Sequence, residues 1–334
     1  MTPLPSADEL LDRAHVVALP MRVRFRGVDV REVLLLDGPS GWGEFAPFVE
    51  YADDESARWL DAAIEAAYAA WPAPVRDAVP VNATVPAVPA GRVPDVLARF
   101  DGCTTAKVKV AERGQTLGDD IDRVAAVRAA MGPSARIRVD ANGAWDVESA
   151  ADALTLLAAY DLEYAEQPCA TVEELVELRT SLARRGTDVL IAADESIRKA
   201  EDPLRVARLG AADVVVVKVA PLGGVARALE IVEACGLPAV VSSALDTSVG
   251  IAAGVALAAA LPALDHACGL GTVGLFERDV SATPLRPAAG LLPTGRAAPD
   301  PEALAALAAP PDRRQWWRDR LVRCHALLAS GGTR

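Results

Sequence analysis

The sequence predicts an α/β protein: a (β/α) barrel of the TIM type preceded by an N-terminal α+β capping domain. Three observations predict it. Short β-rich runs end near Lys109, Asp140, Glu166, Asp194, Lys218, Ser242 and Cys268, at steps of 31, 26, 28, 24, 24 and 26 residues, with helical patterns between them. That rhythm marks parallel βα units, and one further run ahead of them, Val81–Val85, brings the strands to the eight that close a barrel. The first 79 residues follow a different pattern, and no glycine-rich phosphate turn follows the first strand, as an open doubly wound sheet would normally carry.

Taken in order, the capping domain (residues 1–79) has apolar-rich strands over Val16–Phe25 and Val30–Leu36, joined by a turn at Arg26–Asp29. A Pro-Ser-Gly turn leads into Trp42–Phe45. From Asp53 to Trp71, Ala, Trp, Leu, Ile and Tyr recur at helical spacing. A proline-rich stretch from Pro72 to Pro94 marks the boundary with the barrel, residues 80–285. Helical patterns over Leu117–Met131, Val147–Tyr160, Val172–Arg184 and Val225–Cys235 separate the barrel strands. The longest apolar run, Val249–Leu264, is mostly Ala and Gly and contains Pro262, so it reads as a buried barrel helix rather than a membrane span. The last segment, residues 286–334, is Pro/Gly-rich and carries a helix around Gln315–Leu328 that is expected to pack back on the capping domain.

Composition narrows the function. With 334 residues, 51% of them apolar, the chain can bury a large core. A net charge of −12 with no basic stripe argues against a nucleic-acid surface. Cys103, Cys169, Cys235, Cys268 and Cys324 lie far apart and form no CxxC, which suits buried thiols in a reducing compartment. The first twenty residues carry no basic-then-apolar signal, so a cytoplasmic location is expected, with neither membrane nor nucleic acid as partner. Of 34 basic residues only Lys107, Lys109, Lys199 and Lys218 are lysines. Against an arginine background a retained lysine marks a place where an ammonium able to lose its proton is needed, unless it is a leftover of coding bias. The positions of three of the four favour the first reading.

Those three stand at predicted strand ends, where a barrel enzyme keeps its active site. An acid there either caps the next helix or points into the mouth, and for a single Asp the two readings balance. Lysine is unfavourable at a helix N-terminus, so capping does not account for the whole set. With Val81–Val85 as the first strand, Lys107 and Lys109 fall on the second, Asp140, Glu166 and Asp194 on the third to fifth, and Lys218 on the sixth, across the ring from the lysine pair. Three adjacent carboxylates suit Mg²⁺, with Mn²⁺ as an alternative. Lys107 and Lys109, two apart, face the same side of their strand. Such a site suits removal of a proton α to a carboxylate. The metal stabilises the enediolate, Lys109 is the base with its pKa lowered by neighbouring cations, and Lys218 stays protonated opposite.

At this point the residues resemble a family. Gly41-Trp-Gly-Glu44 with Ala46-Pro47, Lys107-Val-Lys109, Asp140-Ala-Asn142, Glu166-Gln-Pro168, Asp194-Glu-Ser196, Lys218 and the run from Ser242 to Gly250 together resemble the enolase superfamily. The likeness spans nearly the whole chain and lies in the muconate-lactonizing branch, closest to the o-succinylbenzoate synthase family of menaquinone biosynthesis. It implies an enolase-type barrel and a hydro-lyase acting on a small-molecule carboxylate, a hydroxycyclohexadiene carboxylate with a succinyl side chain. It further implies Lys109 as the base that returns its proton to the departing hydroxyl, Lys107 as support for the pKa of Lys109, and Lys218 over the ring face. Asp140, Glu166 and Asp194 would hold Mg²⁺, Ser242, Ser243 and Gly269 would line the succinyl end, and Asn142 and Glu195 would orient the site from behind. For Ser242, Ser243 and Gly269, tight strand–turn packing is an equal reading.

Other features are read blandly. Arg22, Arg24 and Arg26 alternate on one strand face near where a lid would hang, and a solvated edge is the favoured account, with a charge contact to substrate as its rival. Trp42 and its flanking glycines are lid or hairpin. Trp316-Trp317 and His15, His266 and His325 read as packing or surface. The opposed lysines also fit racemisation of N-succinylamino acids or epimerisation of dipeptides, and Lys218 alone would fit a metal-free Schiff-base aldolase. A non-catalytic binding barrel leaves the charge pattern without a rationale.

Overall fold

The computed structural model describes residues 4–198 and 203–331; Lys199 lies outside them. Helix α1 (Ala7–Asp12) starts where the Ser6 hydroxyl accepts the Glu9 amide. Strands β1 (Ala14–Phe25), β2 (Val28–Gly38) and β3 (Gly41–Phe45) form an antiparallel meander. The β1–β2 turn is tighter than expected: Phe25 pairs with Val28, and only Arg26 and Gly27, both at positive φ (51° and 75°), lie between. That is the handedness a two-residue hairpin needs. Helix α2 (Asp53–Tyr68) begins with three acids in its first turn, which suits the dipole, and ends short of the expected Trp71, with Ala69 already in extended conformation. Helix α2 lies so close on β3 that a Cβ at Gly43 would stand 2.0 Å from the Ala63 carbonyl oxygen.

After β4 (Ala78–Pro80), strand β5 (Ala83–Val85) opens a parallel series. It continues through α3 (Val93–Leu97), β6 (Thr105–Lys109), α4 (Leu117–Met131), β7 (Arg136–Asp140), α5 (Val147–Leu157) and β8 (Leu162–Glu166). Then come α6 (Val172–Arg185), β9 (Ile191–Ala193), α7 (Glu195–Arg198), α8 (Arg205–Arg208) and β10 (Val214–Val217). Helices α9 (Val219–Leu222) and α10 (Val225–Cys235), strand β11 (Ala239–Val241) and helix α11 (Ser248–Ala260) complete it. Neighbouring strands β5 to β11 pair in sequence order. The expected eighth strand is reduced to single bridges at Cys268 and Gly269. Asn82 N donates to Cys268 O at 2.9 Å, Cys268 N to Pro80 O at 2.7 Å, and Gly269 N to Val241 O at 2.8 Å, which closes the ring.

Inside the ring Tyr164, Ala192, Val214, Val216 and Val240 form a buried cluster, while Val215 and Val217 face the helices. Arg138 is also enclosed there, its guanidinium 4.7 Å from the Tyr164 ring centre, with Nη1 donating to Ala267 O at 2.6 Å. Helix α11 takes the long apolar run and is buried along nearly its whole length; among the described residues no helix is long and apolar enough to cross a membrane.

Strand β12 (Leu291–Pro293) pairs with β4, and α12 (Pro301–Ala306) leads to α13 (Pro311–Ala329). Helix α13 lies against the N-terminal elements. Arg313 Nε and Trp317 Nε1 donate to the Glu32 carboxylate at 2.7 and 2.9 Å, and Arg320 Nη2 to Ser56 Oγ at 2.7 Å. Trp317 is fully buried, and each histidine finds a packing role: His15 against Trp42, His266 on Glu163 and His325 on the Pro5 carbonyl.

Candidate active site

Strand register brings the charged ends together. Lys109 pairs with Asp140 across β6–β7, and Asp140 with Glu166 across β7–β8, so the three sit at one level of the ring. Asp194 follows β9 directly. Lys218 continues β10 in extended conformation as the residue before α9 and gives that helix no side-chain cap. Its ammonium instead turns onto Asp194 Oδ2.

The lysines and carboxylates interlock. Lys107 Nζ lies 2.8 Å from Glu166 Oε1 and 3.1 Å from Asp140 Oδ2, and Lys109 Nζ lies 2.6 Å from the same Asp140 oxygen. Lys109 also bonds Asn142 Oδ1 and stands 5.4 Å from the Phe25 ring centre. Asn142 holds a left-handed conformation (φ 48°) and donates through Nδ2 to Glu195 Oε1 at 3.3 Å. Lys107, Lys109, Lys218, Asp140, Glu166 and Asp194 are all buried. Among the described residues no group of three or more His, Cys, Asp or Glu side chains stands ready to hold a metal ion; an ammonium lies against each of the three carboxylates instead. In a low-dielectric interior, opposite charges that can reach each other pair. Glu166 Oε2 is buried and accepts no hydrogen bond among the described residues.

These contacts shift proton affinities apart. Burial lowers the Lys109 pKa, and the Lys107 ammonium lowers it further against the pull of Asp140. Burial also works against the charge on Lys107, but Glu166 and Asp140 outweigh it and hold that ammonium well above its ordinary range. Asp140 is held well below the usual carboxylate range by Lys109 and Lys107 despite its burial. Burial, then Asp140, pushes Glu166 up to about 7. Of two amines on one strand, one is tightly held as a cation and the other is eased toward the neutral form a base requires.

Lys107, Lys109, Asp140, Asn142, Lys218, Ser242, Ser243 and Gly269 all line one cavity, with Phe25, Arg26, Thr84 and Thr272. Ser243 Oγ donates to Gly269 O at 2.8 Å and contacts Thr272 Oγ1 at 2.9 Å. Glu166, Asp194 and Glu195 stand behind this wall and reach it through their partners.

Three supporting side chains are missed by sequence reasoning. Gln167 accepts the Asp194 and Ser196 amides at 2.9 and 3.1 Å and donates to Cys169 O at 2.9 Å, so it fixes the backbone that carries Asp194. Its place inside Glu166-Gln-Pro168 is the signal that could have found it. Arg123 donates to the Lys109 carbonyl at 2.7 Å and to Val88 O at 2.7 Å; nothing local distinguishes it from the other helix arginines. Glu44, quoted above only as part of a motif, has a partner in another. Its carboxylate accepts Thr247 Oγ1 at 2.6 Å and Gly250 N at 2.9 Å, at the start of α11. Burial, then Asp246, pushes Glu44 up to about 8. Beside it Arg31 donates to the carbonyls of Ala244 and Leu245, both at 3.2 Å.

The chain is similar to known proteins over nearly its whole length. Residues 95–299 match the family "Enolase C-terminal domain-like", and residues 16–67 match "Enolase N-terminal domain-like". The o-succinylbenzoate synthase of Mycolicibacterium smegmatis is 62% identical over 97% of this chain and 99% of its own. That of Mycobacterium leprae is 60% identical over 97% and 95%. The muconate lactonizing enzyme from Pseudomonas fluorescens superposes with a TM-score of 0.75 at 22% identity, over 89% of this chain and 98% of that one, a likeness of fold. The chain belongs to the enolase superfamily and, within it, to the o-succinylbenzoate synthase family.

Proposed function

We propose that this chain is an o-succinylbenzoate synthase, a hydro-lyase that removes water from 2-succinyl-6-hydroxy-2,4-cyclohexadiene-1-carboxylate in menaquinone biosynthesis, in the cytoplasm. The observation that carries the reading is that Lys109 and Lys218, from strands on different sides of the ring, enter one cavity beside Asp140.

In this reading neutral Lys109 takes the proton α to the ring carboxylate, and the electron pair is delocalised into that carboxylate as an enediolate. The same ammonium then gives the proton to the hydroxyl, which leaves as water from the face the base occupies, so the elimination is syn. Loss of hydrogen and hydroxyl from the cyclohexadiene makes the ring aromatic. Lys107 remains a cation and keeps Lys109 weakly basic, while Lys218 stabilises the developing negative charge from the other side. Ser242, Ser243 and Gly269 line the pocket for the succinyl chain. Asn142 orients Lys109, and Glu195 orients Asn142.

Members of the superfamily use a divalent metal. Oxygen donors on three neighbouring strand ends, and Glu166 Oε2 with no hydrogen-bond partner among the described residues, fit a hard cation. Asp140, Glu166 and Asp194 are the residues that would hold Mg²⁺, or Mn²⁺ in its place. When bound, the ion lowers the energy of negative charge on the substrate carboxylate.

The test is turnover of the cyclohexadiene carboxylate by the purified protein, with and without a chelator, beside α-proton exchange on N-succinylamino acids. Chelator-sensitive formation of the aromatic product supports the proposal. Exchange on the amino acids without dehydration refutes it in favour of a racemase.

A further inference from the structure

We propose that Asp120 and Arg123, a buried pair on α4, are positioning residues for Lys109: they hold the strand end that carries it and the strained turn behind it, and so set where its amine meets the substrate's α-proton. The inference rests on the function proposed above and adds to it two residues outside the cavity.

Lys109 stands on a strand end that the barrel sheet supports from one side. The pairing of β5 with β6 runs only as far as Val85 and Val108, one residue short of Lys109, while β7 still pairs with Lys109 through Asp140. Arg123 takes the place of the departed neighbour. Its Nη1 donates to the Lys109 carbonyl and its Nε to the Val88 carbonyl, both at 2.7 Å, and its Nη2 bonds Gln115 Oε1. Gln115 Nε2 in turn donates to Ala87 O at 2.8 Å. One guanidinium thus ties the loop after β5 to the end of β6.

Behind Lys109 the chain turns through Ala111, whose φ of 58° is left-handed. Alanine takes up that conformation at a cost, and it persists only where the surroundings impose it. Asp120 imposes it: Oδ2 accepts the Ala111 amide at 2.9 Å, while Oδ1 accepts Arg123 Nη1 at 2.8 Å. Asp120 and Arg123 are 2% and 1% exposed, and neither lines the cavity. The same device recurs around the ring. Asn142, Gln167 and Leu245 are also left-handed (φ 48°, 38° and 61°), and each lies within two residues of Asp140, Glu166 or Ser243. Leu245 has a buried guanidinium on its carbonyl as well, that of Arg31. Strained backbone gathered directly behind site residues marks positions fixed for function.

A base displaced by about 1 Å through a change remote from the chemistry loses about 10²-fold in rate. Contacts made to the substrate elsewhere in the cavity are untouched by such a shift, so the loss falls on kcat rather than KM.

The test uses the full chain and four variants, Asp120→Ala, Ala111→Gly, the two combined, and Ala111→Val. Each is assayed on the cyclohexadiene carboxylate and on the same compound deuterated at the carbon α to the ring carboxylate. Asp120→Ala should lower kcat about ten- to a hundredfold, with KM within about threefold and a primary isotope effect on kcat at least as large as that of wild type. In the Ala111→Gly background the same substitution should cost at least about fivefold less, because glycine keeps the left-handed turn without a clamp. Ala111→Val leaves the pair intact but makes the turn costlier still, so kcat should fall about tenfold or more; it carries the test if Asp120→Ala does not fold. A lowered melting temperature with unchanged kcat, a reduced isotope effect, equal losses in both backgrounds, or an unchanged kcat in Ala111→Val would overturn the assignment while leaving the dehydration intact. Failure of the wild type to dehydrate the compound would overturn the functional reading and this inference with it.

Discussion

Replacing Lys109 with Gln isolates the proposed base. Lys109 Nζ lies 2.6 Å from Asp140 Oδ2, but Lys107 stays 3.1 Å from the same oxygen, so the variant does not leave Asp140 without a cation. Its stability cost should therefore fall below the ~3–5 kcal/mol of a broken buried pair. The catalytic cost should be large. Loss of one general base slows a step about 10²–10⁴-fold, and here the same amine also returns the proton to the leaving hydroxyl. The upper end applies: kcat down about 10⁴-fold, equivalent to ~5.5 kcal/mol of barrel-site stabilisation of the transition state. Following the absorbance of the aromatic product measures the rate, and a thermal melt checks the fold. A melt near wild type with more than about a tenth of wild-type kcat would refute the base assignment.

Three further outcomes are expected. Lys218→Gln should lower kcat about 10²-fold, as loss of one charge-stabilising donor does, with a smaller change in KM; steady-state kinetics decides, and an unchanged kcat speaks against its role. Glu44 is pushed up to about 8, so the native state binds its proton more tightly than the unfolded chain, and the stability this contributes is present at low pH and lost as pH rises through that value. Melting temperatures from pH 5 to pH 9 should thus fall more steeply for wild type than for Glu44→Gln, and parallel curves would contradict the assignment. A Cβ at Gly250 would stand 2.8 Å from Asp246 Cβ and 2.9 Å from Glu44 Cδ, so Gly250→Ala should cost ~1–3 kcal/mol by overpacking, read as a Tm lowered by several degrees.

The chemistry-bearing positions were legible because they interrupt apolar runs. A lysine after four valines, or an aspartate closing Leu190 to Ala193, has no reason to be there in a packed barrel unless it faces the mouth. Strand register then did the rest, since parallel neighbours place successive ends at one level. What the sequence hid depends on contacts far apart along the chain. Glu44 meets Thr247 across a separation of 203 residues, and the partners of Arg138 inside the ring, the Tyr164 ring and the Ala267 carbonyl, come from other strands and from far along the chain. The eighth strand shrank because Cys268 and Gly269 bond the ring only singly, and the pairing of each lysine with a specific carboxylate is set by side-chain reach that spacing does not encode. The arginine hairpin was read mainly as a solvated edge, since alternation along β1 does not show that the two-residue turn carries Arg26 onto the cavity.

The junction at Glu44 has a consequence for how the molecule unfolds. One carboxylate from the N-terminal meander terminates the open amide end of a barrel helix, and the last helix of the chain folds back onto that same meander. The N-terminal span and the barrel are therefore not separable physical units: peeling off either span strips the other of its covering. Scanning calorimetry should accordingly record one cooperative heat-absorption peak for the whole polypeptide, and a chimera that exchanges the first span alone should melt early.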